Sequence, residues 1–179
     1  MNYQNISEIY VANDKIRENL KATVGNLTDE QLNLLAEKGD WTIKNIVEHI
    51  AIVQEGMMRI SAKLLTEAKA VGAAANGEAK ISENFLQKAV EARPAKFEAP
   101  DRVRPTGTQT IAESLSKLDE TRKSLEDLRP LFESVECSDF KFQHPFFGDL
   151  TAHEWLALVG GHEFRHTSQI EKILSDATQ

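Results

Sequence analysis

The stretch TAHEWLALVGGHEFRHTSQIEKIL, residues 151–174, decides the fold. Thr151 followed three residues later by Glu154 is a capping-box signature: the hydroxyl accepts from a backbone N–H at the helix start, and the carboxylate reaches back to the cap. From there Trp155, Val159, His162, His166, Gln169 and Ile173 recur at spacings of four and three. At about 100° per residue they share one stripe of a long amphipathic helix. His162 and His166 therefore lie in the seam meant for the core. His153 lies nine residues before His162 and is expected on the opposite, solvent side.

Upstream, FKFQHPFFGDL (140–150) is rich in aromatics, and no strand is expected in it. His144 precedes Pro145 there and reads as a turn residue with a structural role. TQTIAESLSKLDETRKSLEDL (108–128) predicts a long helix with Ile111, Leu115, Leu118, Leu125 and Leu128 on one face, ending near Pro130. DWTIKNIVEHIAIVQEGMMRISAKLL (40–65) predicts another, capped by Thr42 and striped by Ile43, Ile46, Ile50, Val53, Met57, Ile60 and Leu64. Gly56 inside it costs about 1 kcal/mol against Ala and is expected to mark close packing or a bend. His49 lies on the flank of this stripe.

At the start, Ile6, Ile9, Ile16, Leu20 and Val24 give a first helix ended by Gly25. LTDEQLNLLAEKG (27–39) predicts a short helix, capped by Thr28 with Gln31 and ended by Gly39. Between the second and third long helices lie TEAKAVGAAANGEAK (66–80), read as a helix end and loop, SENFLQKAVEAR (82–93), a short helix ended by Pro94, and KFEAPDRVRPTG (96–107), extended. So long a connection is unusual in a compact domain, and such segments often line or cover a site. The expectation is one all-α domain over residues 1–179, a four-helix bundle with a long crossover.

The bulk numbers narrow the function. Lys plus Arg total 21 against 28 Asp plus Glu, a net charge of −7. With no basic stripe, an acidic chain is not expected to bind nucleic acid. Cys137 is the single cysteine, which excludes an intrachain disulfide and suits a reducing compartment. It sits in VECSD with no nearby cation to lower its pKa, so a reactive thiolate is not expected. Apolar runs fall far short of the ~20 residues a membrane span needs, and no signal peptide is evident. The expected location is cytoplasmic.

Imidazoles buried in a seam are costly unless their nitrogens find partners. A divalent metal is one such partner; backbone carbonyls are the alternative. Histidines four apart project side by side on a helix. His49 is the other core-side histidine on a helix, and with His162 and His166 it would make a three-histidine site with positions left for water or substrate. Glu48, Glu163 and Gln169 are candidates to support these ligands, although Glu163 is expected on a solvated flank. Imidazole donors suit zinc and nickel foremost here, then iron.

WTIKNIVEHI, APDRVRPTGTQTIAESLSKLDETR and the closing HPFFGDLTAHEWLALVGGHEFRHTSQIEKI together resemble the DinB-like superfamily over nearly the whole length. The resemblance implies a four-helix bundle and a divalent metal ion on His49, His162 and His166. It also implies a homodimer and kinship with bacillithiol S-transferases and mycothiol-dependent maleylpyruvate isomerases, hence a low-molecular-weight thiol as co-substrate. Some relatives carry a further histidine just beyond the first; HIAIVQEG (49–56) has none, so the acid–base groups stay unassigned. The expected function is a metal-dependent enzyme, a thiol transferase or hydrolase acting on a small electrophile. The alternative is a non-catalytic metal-binding or stress-response module.

Overall fold

The computed structural model describes residues 3–35, 40–72, 74–92, 95 and 97–178. Four long helices dominate: α1 (Ile6–Val24), α3 (Ile43–Ala70), α5 (Ile111–Ser134) and α6 (Ala152–Asp176). Between them lie α2 (Asp29–Leu32), α4 (Glu83–Ala92), a 3₁₀ turn (Asp101–Val103), and the strands β1 (Lys141–His144) and β2 (Gly148–Thr151). Thr28, Thr42, Thr110 and Thr151 each close a capping box. Four helix starts are thus written locally in the chain.

Side-chain pairs give the topology. Tyr10 Oη donates to the Leu125 carbonyl and Lys21 pairs with Asp119, so α1 and α5 are antiparallel. Asn13 donates to the Leu156 carbonyl and Asn19 to Glu171, so α1 and α6 run parallel. His49 lies by His166 while Gln54 reaches the Val159 carbonyl, so α3 opposes α6. It follows that α3 and α5 are parallel neighbours. A parallel pair cannot be joined by a tight turn. The chain must return along the length of a 28-residue helix, about 42 Å at 1.5 Å per residue. That is the physical reason for the long crossover.

The core divides in two. One apolar cluster gathers Ile6, Ile9, Tyr10, Leu64, Phe132, Leu150 and Leu156; the other gathers Leu20, Val24, Ile46, Ile50, Leu118 and Ile170. Between them runs a polar layer of Asn13, Arg17, Gln54, Thr121, Glu163 and Thr167, all buried. Arg17 Nε donates to Glu163 Oε1 at 2.7 Å, and its Nη2 donates to Glu163 Oε2 at 2.9 Å and to Gln54 Oε1 at 2.7 Å. Gln54 in turn donates to Glu163. The layer ties α1, α3 and α6 at one level and encloses a cavity of about 10 Å³. Glu163 is only 1% exposed, so its expected place on a solvated flank is corrected: Arg17 compensates its charge inside the bundle.

Other expectations also change. Residues 141–151 form an antiparallel hairpin, with Lys141 opposite Thr151 and His144 opposite Gly148. Each strand has only four residues, too few for an alternating pattern to stand out. α5 passes through Pro130 and continues to Ser134, because the fully buried Phe132 packs its ring against Tyr10 and anchors the last turn. His153 is 3% exposed rather than solvated, since the hairpin and residues 79–82 wrap the first turns of α6, and Lys80 N donates to its Nδ1. Gly56 is exposed, and a Cβ there would touch nothing, so close packing is not its reason. α2 is shorter than expected, and Gly39 and Pro94 lie outside the described residues.

Candidate metal centre

The antiparallel packing of α3 on α6 brings His49 against His162 and His166. Ring centroids are 5.1 Å apart for His49 and His162, 4.9 Å for His49 and His166, and 4.5 Å for His162 and His166. One ring nitrogen from each lies within 4.8 Å of the others. A metal held at about 2.0–2.1 Å from each nitrogen requires separations no longer than about 4.2 Å. A separation of up to 4.8 Å exceeds that limit by about 0.6 Å, so a bound ion would have to draw the rings together by that much. His144 and His153 stand outside this cluster.

The surrounding bonds orient two of the three rings. His49 Nδ1 lies 2.8 Å from the Val103 carbonyl oxygen, which can only accept. Nδ1 therefore carries the proton and Nε2 keeps its lone pair. His166 Nδ1 lies 3.0 Å from Gln169 Oε1, which selects the same tautomer when the amide oxygen faces it. His162 Nδ1 is buried without a hydrogen-bond partner among the described residues. A buried unsatisfied nitrogen beside two oriented imidazoles is what a ligand site leaves when only protein atoms are considered. The donor set fits a divalent ion of borderline softness.

Electrostatics agree. Burial pushes the His49 imidazole below its ordinary pKa, against a smaller opposing effect of the Val103 carbonyl. Burial, then the charge of His49, brings His166 down to about 3. His162 is held well below the usual range by burial, then by His166 and His49. All three rings are thus neutral at pH 7, the form that coordinates metals. Trp41 covers His49 at 4.8 Å between ring centroids.

Glu48, next to His49, is fully buried but touches none of the three rings. Its carboxylate accepts from Thr106 N at 2.8 Å, Thr106 Oγ1 at 2.6 Å and Gly107 N at 2.9 Å. Gly107 adopts φ +76°, which a side chain would resist. Glu48 thus pins the strap of residues 103–107, and the strap supplies the carbonyl that orients His49. Sequence reading singled out Glu48 but not the partner of His49; Val103 acts through its backbone, which carries no residue-type signal. Arg165, between His162 and His166, was also missed. It donates to the Ala92 and Ala95 carbonyls and ties α6 to the crossover.

Cys137 is 1% exposed, and burial raises its thiol pKa, as expected of an inert cysteine. Among the described residues, no helix is long and apolar enough to cross a membrane.

The profile of the DinB superfamily matches residues 12–170. The uncharacterized protein YuaE of Bacillus subtilis (strain 168) is 27% identical over 150 residues, covering 82% of this chain and 85% of YuaE. Among solved structures, YfiT from Bacillus subtilis superposes with a TM-score of 0.60 at 19% identity, covering 96% of this chain and 87% of YfiT. YfiT is described as a probable metal-dependent hydrolase with an unusual four-helix bundle topology.

Proposed function

Because the chain belongs to the DinB superfamily, we propose that His49, His162 and His166 hold one divalent metal ion, and that the protein is a metal-dependent enzyme acting on a small electrophilic substrate. The observation that carries this reading is the convergence of three imidazoles from two helices, with their ligand atoms within 4.8 Å of one another. The description of YfiT as a probable metal-dependent hydrolase supports it from a second direction. A divalent ion on three neutral imidazoles supplies Lewis acidity, which activates water or a low-molecular-weight thiol near neutral pH. The chain's own part is to hold the ligands. Val103 and Gln169 fix the tautomers of His49 and His166, Glu48 fixes the strap, and Trp41 shields His49 on one side.

Hydrolysis and thiol transfer are the two reactions this site supports, with zinc or nickel as the first metals to test. Purified protein is analysed for metal, then titrated with zinc and nickel after chelation. Stoichiometric binding that is lost in His49→Ala, His162→Ala and His166→Ala is the expected result. Assays follow with ester, amide and halide electrophiles, with and without thiols. Full occupancy with no turnover in either series would overturn the enzyme reading and leave a metal-binding module.

A further inference from the structure

A line of aromatic rings runs beside α6, from the crossover to the hairpin. Phe97 meets Phe146 at 4.7 Å between centroids, Phe146 meets Phe147 at 5.3 Å, Phe147 meets His144 at 5.0 Å, and His144 meets Trp155 at 5.4 Å. Both ends of the line return to α6: Arg165 lies over Phe97 at 5.2 Å, and Trp155 is itself an α6 residue. Trp155 and Arg165 bracket His162 along the helix. Trp155 lies two turns from His162 on the same face, about 10 Å along the axis.

This wall carries a buried donor without a partner. His144 Nδ1 accepts from Phe146 N at 3.1 Å and Phe147 N at 3.2 Å, which places the neutral ring's proton on Nε2. Burial, then the charge of Arg102, holds His144 down to about 4, so the ring is neutral at pH 7. Trp155 is 4% exposed, and its indole N–H is buried with no partner among the described residues. Asp101 faces Arg104 at 3.9 Å, and Arg102 has no carboxylate partner among the described residues. Lys88 Nζ stands 5.2 Å from the Phe146 ring and likewise has no carboxylate partner there. Asp149, the hairpin's acid, is exposed and registers with Gln143. An unpartnered indole N–H and a guanidinium without a carboxylate partner, beside phenyl rings, point to an organic anion.

We propose that this wall is a substrate subsite for a small amphipathic carboxylate. The acid group is received by His144 Nε2–H, Trp155 Nε1–H and Arg102, and the apolar body lies on the phenyl rings. The claim that its other end faces the three histidines rests on the function proposed above; the subsite itself does not.

The test uses the metal-free full chain, labelled with ¹⁵N, with benzoate as the probe and benzamide as its uncharged counterpart. The Trp155 indole resonance is assigned with a Trp41→Phe variant. Saturable movement of that resonance with benzoate, and none with benzamide, is the expected result. His144→Ala weakens benzoate by about tenfold, the loss of one hydrogen bond to a charged group. Arg102→Gln, at an exposed position that leaves the hairpin intact, weakens it by up to about fivefold. No movement of the resonance, or equal displacement by inorganic phosphate, overturns the proposal. Zinc titration of the same samples separates the two claims. Zinc binding without a benzoate response sinks the subsite alone, and a benzoate response without zinc binding sinks the metal reading alone.

Discussion

His166 and Gln169 form the smallest unit of the site. The amide oxygen, 3.0 Å from Nδ1, leaves Nε2 for coordination, and groups placed like this change metal affinity about 10–100-fold when removed. Gln169→Ala is therefore expected to weaken zinc binding by about tenfold in a chelator competition while leaving the melting temperature of the metal-free protein nearly unchanged, because Gln169 is exposed. Arg17 behaves in the opposite way. It makes no hydrogen bond to the rings but neutralises Glu163, a carboxylate 1% exposed. Arg17→Met strands that charge in the core and is expected to cost about 3 kcal/mol, read by urea unfolding.

At the scale of the element, the contact of α1 with α6 depends on Gly160. A Cβ there would come within 2.1 Å of Asn13 Oδ1, and Asn13 also donates to the Leu156 carbonyl. Gly160→Ala must push the helices apart or expel Asn13, with an expected loss of about 1–3 kcal/mol. Gly56, on the exposed side of α3 with open space around it, gives the opposite sign: Gly56→Ala is expected to stabilise by up to about 1 kcal/mol. Thermal unfolding of the two variants side by side checks both. The crossover is an element of another kind. Glu48 grips Thr106 and Gly107, so Glu48→Ala is expected to speed amide exchange at residues 103–107 and leave the protection of α1 and α6 unchanged, measured by hydrogen exchange.

For the whole molecule, buried neutral histidines set the response to acid. His144 is held to about 4 and His166 to about 3, while an unfolded chain binds protons near 6.5. Below about 6.5 the unfolded state therefore takes up more protons than the folded one, and stability falls as pH drops from there toward 3. Above about 7 this contribution is fully present. Unfolding of the metal-free protein, followed in urea between pH 7 and pH 4, is expected to show a falling midpoint, and replacing His144 with Gln is expected to flatten the slope.

Helix starts, apolar stripes and the HxxxH spacing are local properties, so the chain alone determined the four-helix bundle, its capping boxes at Thr28 and Thr151, the N-cap at Thr42, and which three histidines to bring together. The long segment between Leu65 and Ile111 already implied a crossover. Periodicity reports only which face of a helix is apolar; it does not report which neighbour covers the other face. That is why Glu163 and His153 looked solvated until the packing of α1, the hairpin and residues 79–82 closed over them. Parallel pairing of α3 with α5, the Val103 carbonyl behind His49 and the unpartnered indole N–H of Trp155 were likewise decided by tertiary structure. Each depends on backbone atoms or on residues far apart in the chain, and no local pattern encodes their distance.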